Sequence, residues 1–559
     1  MISPLRPQPP ISDTRKALMF PTLAPAQLAR ITAHGTVRAV AREQVLIEAG
    51  DAIVPFFVVR SGKVDIIQPS SLGDTLVVSH DPGQFTGEGN LLLGRRSLIR
   101  AVGSEPGEVI QLSREQILDL VQTDPELSDV LMRAFIYRRM ALIAAGFGDV
   151  MLIGSAHCAG TLRAREFLAR NGHPYQYVDL DLETDLQQLL DRFNVQVADV
   201  PVLICRETVV LRNPTNQQIA DCLGFNENID AAQLRDLIVI GAGPAGLAAA
   251  VYGASEGLDV LVLEAGPPGG QAGSSSRIEN YLGFPTGISG QDLTDRAIAQ
   301  AQKFGAQIMI SRGAASMTCS RTPYGVTIEG GRGLQARAII IATGAQYRRP
   351  SLDRLAQFEG AGIYYSATHM EAQVCSNEEV IVVGGGNSAG QAAVFLAQTS
   401  RHVHVLVRSG GLADTMSRYL IRRIEESPTI SLRTHAEVTG LEGNGHLERV
   451  RVQDKNSGAV QTLDIRHVFM MTGALPNTAW LDGCIALDSK GFIKTGPDLT
   501  PDDLASAQWP LARPPFLLET SRPGVFAVGD VRSGNVKRVA SAVGEGSIAV
   551  SLVHGVLAE

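Results

Sequence analysis

The chain has 559 residues, 45% of them hydrophobic and 19% charged, with a formal net charge of -8 at pH 7. A chain of this length outgrows a single core, so several domains are expected. The charge makes no basic surface that could neutralise a phosphate backbone, which excludes nucleic acid as a partner. Neither a secretory-type apolar run at the N-terminus nor an unbroken run of about 18 apolar residues occurs, so no membrane partner is expected.

Six cysteines (Cys158, Cys205, Cys222, Cys319, Cys375 and Cys484) lie far apart and form no CxxC pair. Neither a zinc site nor a disulfide scaffold is therefore expected, no metal is assigned, and a reducing cytoplasmic location fits this usage.

In chain order, residues 1–16 read as a flexible, proline-rich tail. From 17 to 147 a short helical stretch leads into strand-like runs, AREQVLIEAGD, FFVVRSGKVDIIQP and TLVVSHDPGQF, each bounded by turn residues, and then into a helical run from QILDLVQ to RRMALI. This roll followed by helices resembles the cyclic-nucleotide-binding domain family. The resemblance rests on Phe85 to Ser97 and implies that Gly87 and Glu88 meet a ribose and that Arg95 or Arg96 pairs with a cyclic phosphate. A cyclic nucleotide would then act as an effector. A roll without nucleotide, used for packing, is the alternative.

From 148 to 226 the order is strand, helix, strand, helix, strand, strand, helix. With Ser155-Ala156-His157-Cys158-Ala159-Gly160-Thr161 at the first helix and Val200-Pro201 as a candidate cis bond before the third strand, this block resembles a glutaredoxin-like thioredoxin fold. Cys158 opens the helix, where the partial positive charge of the backbone favours a thiolate. Thr161 occupies the place of a second cysteine, so only monothiol chemistry is open to Cys158, the candidate catalytic residue.

A linker at 227–234 precedes an apolar strand that runs into Gly241-Ala242-Gly243-Pro244-Ala245-Gly246 and an alanine-rich helix. A second strand then ends on Glu264 and Ala265. The first glycine permits the tight turn, Gly243 lets backbone approach a pyrophosphate, Gly246 permits close helix packing, and Glu264 suits an adenosine ribose. The same plan recurs at Gly384-Gly385-Gly386-Asn387-Ser388-Ala389, but its second strand ends on Arg408 and Ser409 in place of an acid. A guanidinium there suits a 2′-phosphate, which favours NADPH over NADH.

Together with Gly270-Gln271, Glu279-Asn280-Tyr281, Ala342-Thr343-Gly344 and Val528-Gly529-Asp530, these turns closely resemble the low-molecular-weight thioredoxin reductase family over 235–559. The resemblance implies an FAD-binding domain in two segments, 235–350 and 473–559, around an NAD(P)-binding domain at 351–472. Gln271 and Asn280 are implied beside the flavin, Asp530 at its ribityl or pyrophosphate portion, and Lys537, Arg538 and Val539 along its ring. A homodimer is implied as well. The family's cysteine pair is missing, for the segment reads Tyr365-Ser366-Ala367-Thr368-His369-Met370-Glu371. The electron acceptor therefore stays open between a thiol or disulfide, reached through Cys158, and an electron carrier of the ferredoxin kind. The expected fold class is multidomain α/β: a β-roll with helices, a thioredoxin-like domain and two Rossmann-like domains, the FAD domain being discontinuous.

Overall fold

The computed structural model describes residues 13–69, 74–87, 91, 94–144, 150–181, 199–206, 209–226, 229–319, 323–481 and 483–559. Helices α1 (Asp13–Met19) and α2 (Pro25–His34) precede strands β1 (Thr36–Val40), β2 (Val45–Ile47), β3 (Phe56–Gln68), β4 (Thr75–His80) and β5 (Arg100–Leu112). The last of these, broken in pattern by Gly103, Pro106 and Gly107, is not signalled by alternation, yet it pairs with β1, β2 and β3. Gly107 explains part of this: a Cβ there would lie 2.0 Å from the Ser61 carbonyl, so only glycine lets the two strands approach so closely.

The helical run after the roll is two helices, α3 (Arg114–Thr123) and α4 (Pro125–Ala144), because Pro125 cannot continue the first. Ser113 and Gln116 form a reciprocal capping box that starts α3. Phe56, Phe85 and Phe135 pack together at the centre, the last edge-on to both others.

The middle unit follows, with β6 (Val150–Gly154), α5 (Ala159–Arg170), β7 (Gln176–Asp179), β8 (Val202–Cys205), β9 (Val209–Arg212) and α6 (Asn216–Cys222). The sheet order is β7-β6-β8-β9, with β6 parallel to β7 and antiparallel to β8. The helix expected near 184–193 lies outside the described residues. The Val200-Pro201 bond is cis.

A large α/β unit is built from β10 (Leu234–Ile240), α7 (Pro244–Ser255), β11 (Val260–Glu264), α8 (Gly290–Lys303), β12 (Gln307–Ile310), β13 (Ala314–Thr318), β14 (Tyr324–Ile328) and β15 (Gly333–Ile341). The chain leaves it through β16 (Ala345–Tyr347). The second α/β unit contains β17 (Ile363–Tyr364), α9 (His369–Val374), β18 (Glu379–Val383), α10 (Asn387–Leu396), β19 (His402–Leu406), α11 (Arg418–Glu426) and β20 (Ile430–Arg433). A meander, β21 (Ala436–Glu442), β22 (Arg449–Asp454) and β23 (Val460–Leu463), precedes β24 (His467–Met470) and the return strand β25 (Ala474–Pro476). The ribbon β16-β25 thus joins the two units. After it, β26 (Val525–Ala527) pairs in parallel with β15 of the first unit, and α12 (Val539–Ala558) closes the chain.

The first unit's sheet runs β12-β11-β10-β15-β14-β13 and the second's β17-β24-β18-β19-β20. In each, the central strands are continuous apolar runs because both faces are covered.

One expectation needs correction. Cys319 and Cys484, 165 residues apart, form a disulfide with Cα atoms 5.8 Å apart. Sequence separation hid a pair that the fold brings together from the two segments of the first α/β unit. Helix α12 is long and apolar enough to cross a membrane by length and composition alone, with no unbroken apolar run along it. Its Ala542, Gly546, Ala549 and Val550 stripe is buried. Gly546 admits α7, since a Cβ there would lie 2.3 Å from the Ala245 carbonyl.

Candidate functional site

The first glycine turn has the geometry that its residues demand. Gly241 has φ +112°, and a Cβ on it would lie 2.3 Å from the Ala342 carbonyl; one on Gly246 would lie 1.8 Å from the Gly241 carbonyl. Gly243 caps α7 at its N-terminus, with Pro244 as the first helical residue, and leaves backbone exposed for a phosphate. Ala245, in the first turn of that helix, is buried. The three glycines leave bare backbone where a diphosphate would pass. These residues fit FAD.

Glu264 ends β11 inside this cradle. One carboxylate oxygen accepts from the Ala242 N–H at 2.7 Å and the other from the Gly266 N–H at 2.9 Å. Burial raises its pKa above the ordinary carboxylate value, opposed by those N–H groups and by the charge of Arg170. Ala265, next in the chain, is exposed. Gly269 and Gly270 both have positive φ, and Gly270 comes close to Gly243. Gln271 donates from its side chain to the Ala345 carbonyl on the connecting ribbon. Asn280 is exposed on the neighbouring loop, which is pinned at its base by paired backbone bonds between Ile278 and Ile288.

The far wall comes from the returning segment. Asp530 follows β26, its carboxyl pushed up by burial, with Lys537 opposing the shift and Glu545 adding to it. Lys537 lies 5.2 Å from the Phe492 ring, Arg538 caps α12 and Val539 begins it. The Thr343 hydroxyl donates to the Asn477 carbonyl, and Asn477 donates back to the carbonyls of Thr343 and Gly344. Ala342 is buried under the turn.

The second turn repeats the plan. Gly384 has φ +147° and a Cβ on it would lie 2.5 Å from the Met471 carbonyl; Gly386 caps α10. The Asn387 side chain accepts from the Ser417 N–H at 2.7 Å, and Ala389 is fully buried. Arg408 and Ser409 are exposed just beyond β19, where Ser409 donates to the Gly411 carbonyl. Tyr347 ends β16, and burial pushes its phenol up, with Ser388 opposing the shift and the charge of Asp530 adding to it.

The segment that lacks cysteines forms the start of α9. Thr368 caps it and Glu371 closes a capping box, while His369 packs edge-on against Phe395. Leu162 of the middle unit belongs to the same apolar cluster as Tyr364, Ala367, Ala372 and Cys375, so α5 covers this face. Cys158 is the N-cap residue of α5 and is partly exposed. Beside it, Ala159 packs on Gly360 of the second α/β unit and Gly160 on Pro201. At the other end of α5, Arg170 donates to the carbonyls of Pro268 and Gly270, the loop beside Glu264. A helix of 12 residues spans about 18 Å, so Cys158 and the end of α5 that contacts the loop beside Glu264 are about that far apart.

The roll's candidate residues are divided. Gly87 has φ +96° and its carbonyl accepts from Arg138 at 2.8 Å, whereas Glu88 lies outside the described residues. Arg95 departs from the expectation that it could face a cyclic phosphate within the roll. Its guanidinium sits 4.1 Å from the Phe225 ring and donates to the Asn171 carbonyl, both in the middle unit. Stacking on an aromatic face with a buried carbonyl as acceptor favours this seat over an exposed turn. Arg96 stays on the roll and donates to the Gly50 carbonyl at 3.0 Å.

The disulfide is not at the first glycine cradle. Strand register puts Cys319 beside Tyr324 and so level with Ala336, five residues before the end of β15 that meets the glycine turn. At about 3.3 Å per residue that is some 17 Å away along the sheet.

Sequence reading missed Arg170, Tyr347, Asn477 and Glu545, the last accepting from the Gly529 N–H at 2.7 Å. Their partners are remote in sequence or belong to no motif, so no local signal marks them.

Two nucleotide cradles, one unit inserted into the other, define a dinucleotide-dependent oxidoreductase fold. The chain belongs to the pyridine nucleotide-disulphide oxidoreductase family, whose model matches residues 235–546. It is 31% identical over 316 residues to a thioredoxin reductase of Streptomyces clavuligerus, covering 56% of this chain and 91% of that protein. It is 30% identical over 357 residues to the NADPH-dependent thioredoxin reductase 3 of Arabidopsis thaliana, covering 61% of this chain and just 63% of that relative. Among solved structures it is similar to Lactococcus lactis thioredoxin reductase in the FR conformation, with TM-score 0.52, 25% identity, and 58% and 99% of the two chains covered. The T. acidophilum thioredoxin reductase matches with the same TM-score at 27% identity, over 58% and 99% of the two chains. Residues 37–124 match the cyclic nucleotide-binding domain family. The protein is thus an oxidoreductase of the thioredoxin reductase type that carries an N-terminal cyclic nucleotide-binding-type domain.

Proposed function

We propose that this protein is an NADPH-dependent FAD oxidoreductase that delivers reducing equivalents to a thiol or disulfide by a route other than a cysteine pair beside the flavin. The observation that carries this reading is the pair of glycine cradles on one chain, Gly241 at φ +112° against the Ala342 carbonyl and Gly384 at φ +147° against the Met471 carbonyl. Bound FAD would supply the two-electron centre that accepts hydride from the nicotinamide. The protein's part is binding and orientation. Glu264 orients the adenosine end, Gln271 and Asn280 border the flavin, and Lys537 with Arg538 set the charge along it. Arg408 selects NADPH over NADH through the 2′-phosphate.

Ser366 to His369 hold no thiol, so Cys158 is the candidate thiol end of the route. The β7-β6-β8-β9 sheet, the cis Val200-Pro201 bond and the helix-start position of Cys158 support a glutaredoxin-like reading of the middle unit. Because Cys158 stands at the end of α5 opposite the one whose Arg170 contacts the loop beside Glu264, about 18 Å along the helix, the middle unit must shift for the thiol to be served at the first cradle. Anaerobic titration with NADPH tests the reading: the yellow absorbance of the holoprotein should bleach, and Cys158→Ser should abolish NADPH-driven reduction of a panel of disulfides. Bleaching with full turnover in Cys158→Ser would favour the second reading, electron delivery to a carrier of the ferredoxin kind, which the missing cysteine pair supports. The roll is read as the seat of a cyclic-nucleotide effector, the assembly as a homodimer and the location as cytoplasmic. NADPH oxidation measured with and without cyclic nucleotide checks the first of these.

A further inference from the structure

The two dinucleotide units also meet through a charged pair that no part of the proposed route uses. Arg423, on α11 of the second unit, reaches Glu279 on the loop of the first unit, 144 residues away in sequence. Contact is two-pronged: Nη1 donates to one carboxylate oxygen and Nη2 to the other at 3.3 Å. The Arg423 guanidinium also lies 5.2 Å from the centroid of the Tyr419 ring, and Arg277 stands 3.5 Å from Glu279. A planar guanidinium held between a carboxylate and an aromatic face has one orientation, and this geometry suits arginine and not lysine.

Two features make this contact more than a surface ion pair. Glu279 is only 21% exposed, so less water competes for it than for an ordinary surface carboxylate. It also directly precedes Asn280, on a loop whose base is fixed by the Ile278 to Ile288 backbone bonds and by Arg277 donating to the Thr286 carbonyl. Any swing of the second unit about the β16-β25 ribbon must therefore break this pair or drag the loop that carries Asn280.

We propose that Glu279 and Arg423 form an interdomain latch, with Arg423 a positioning residue that holds the nicotinamide unit against the flavin unit in the orientation for hydride transfer. The inference rests on the oxidoreductase reading above. Opening the latch widens the range of orientations in which the two cradles do not face one another, so a smaller fraction of the bound protein is aligned for reaction. Binding of NADPH to its own glycine turn is untouched. The pair is partly open to water, so salt weakens it.

The test uses the full chain with FAD bound, as wild type, Glu279→Gln, Arg423→Gln, Arg423→Lys and the exchanged pair Glu279→Arg with Arg423→Glu. Without any nicotinamide, amide hydrogen exchange over 277–288 and 418–426 should accelerate about fivefold in the neutral variants and return toward wild type in the exchanged pair. In anaerobic stopped flow, the limiting rate of flavin bleaching should fall about fivefold in the neutral variants, with the NADPH concentration at half-saturation changed less than about twofold. Arg423→Lys should lie between wild type and Arg423→Gln. Unchanged exchange, an unchanged limiting rate, or an exchanged pair that restores neither overturns the latch. A wild type that NADPH cannot bleach refutes the oxidoreductase reading instead, and the exchange measurements then decide the latch independently.

Discussion

The two glycine turns follow one plan and differ in how tightly they are closed. In the first, the third small residue is Gly246, where a Cβ would lie 1.8 Å from the Gly241 carbonyl; in the second, Ala389 occupies that place and its methyl is accommodated. Only glycine fits at that place in the first turn, whereas the second admits a methyl. The strand ends differ as well: Glu264 is tied into its own cradle by two backbone N–H groups, whereas Arg408 stands exposed. One strand end is tied to backbone inside its turn, the other is open to solvent.

The sharpest way to break this comparison is Gly246→Ala. The added methyl meets backbone, which cannot rotate away, so the variant should lose about 3 kcal/mol and its FAD, read by thermal melting and by absorbance of the purified protein. Retention of full yellow colour would show that the first turn is no tighter than the second. Next in size is Cys319→Ser. The disulfide ties the two segments of the first unit across the whole inserted unit, and a closed loop of 165 residues should contribute about 2–5 kcal/mol under oxidising conditions. The same substitution measured in excess reductant should change little.

Arg408→Glu acts on the second unit alone. Removing a charge-assisted phosphate contact and adding a like charge should lower the preference for NADPH over NADH by about 10- to 100-fold, about 1.5–3 kcal/mol, seen in the ratio of kcat/KM values. Ala389→Gly is milder still, at about 1 kcal/mol, through helix propensity at a position where a methyl already fits.

The smallest effect is a difference in pH response. In the first unit Glu264 and Asp530 have raised pKa values because of burial. The folded state there binds more protons than the unfolded one, so stability falls as pH rises from the ordinary carboxylate value through the raised ones. In the second unit His404 and His467 have lowered values, again from burial, with Glu379 and Glu378 opposing. There the folded state binds fewer protons, and stability is lost as pH falls below 6.5. Amide exchange at pH 7 and pH 5, corrected for intrinsic rates, should show β18 and β19 loosening on acidification while β10 and β11 hold. His404→Gln should reduce that loosening.

Local chemistry made much of the flavoprotein half legible. A glycine turn is recognisable because the constraint, backbone close to backbone at positive φ, acts within a few residues, as at Gly241 and Gly384. The same holds for the capping residues Ser113 and Thr368. The roll was harder to read, because β5 carries Gly103, Pro106 and Gly107, which signal turns when taken singly yet serve close strand contact.

Residue order alone thus sufficed for the two cradles, the acid at the end of β11, the arginine beyond β19 and the missing cysteines at Ser366 to His369, since each is a short-range pattern. Folding was needed to reveal that Arg95 leaves the roll for Phe225, that Arg170 grips the loop beside Glu264, that Cys319 finds Cys484 and that Arg423 meets Glu279. These contacts join groups about 100 or more residues apart. Side-chain reach is only a few ångströms, so nothing in the neighbourhood of either partner along the chain announces the other.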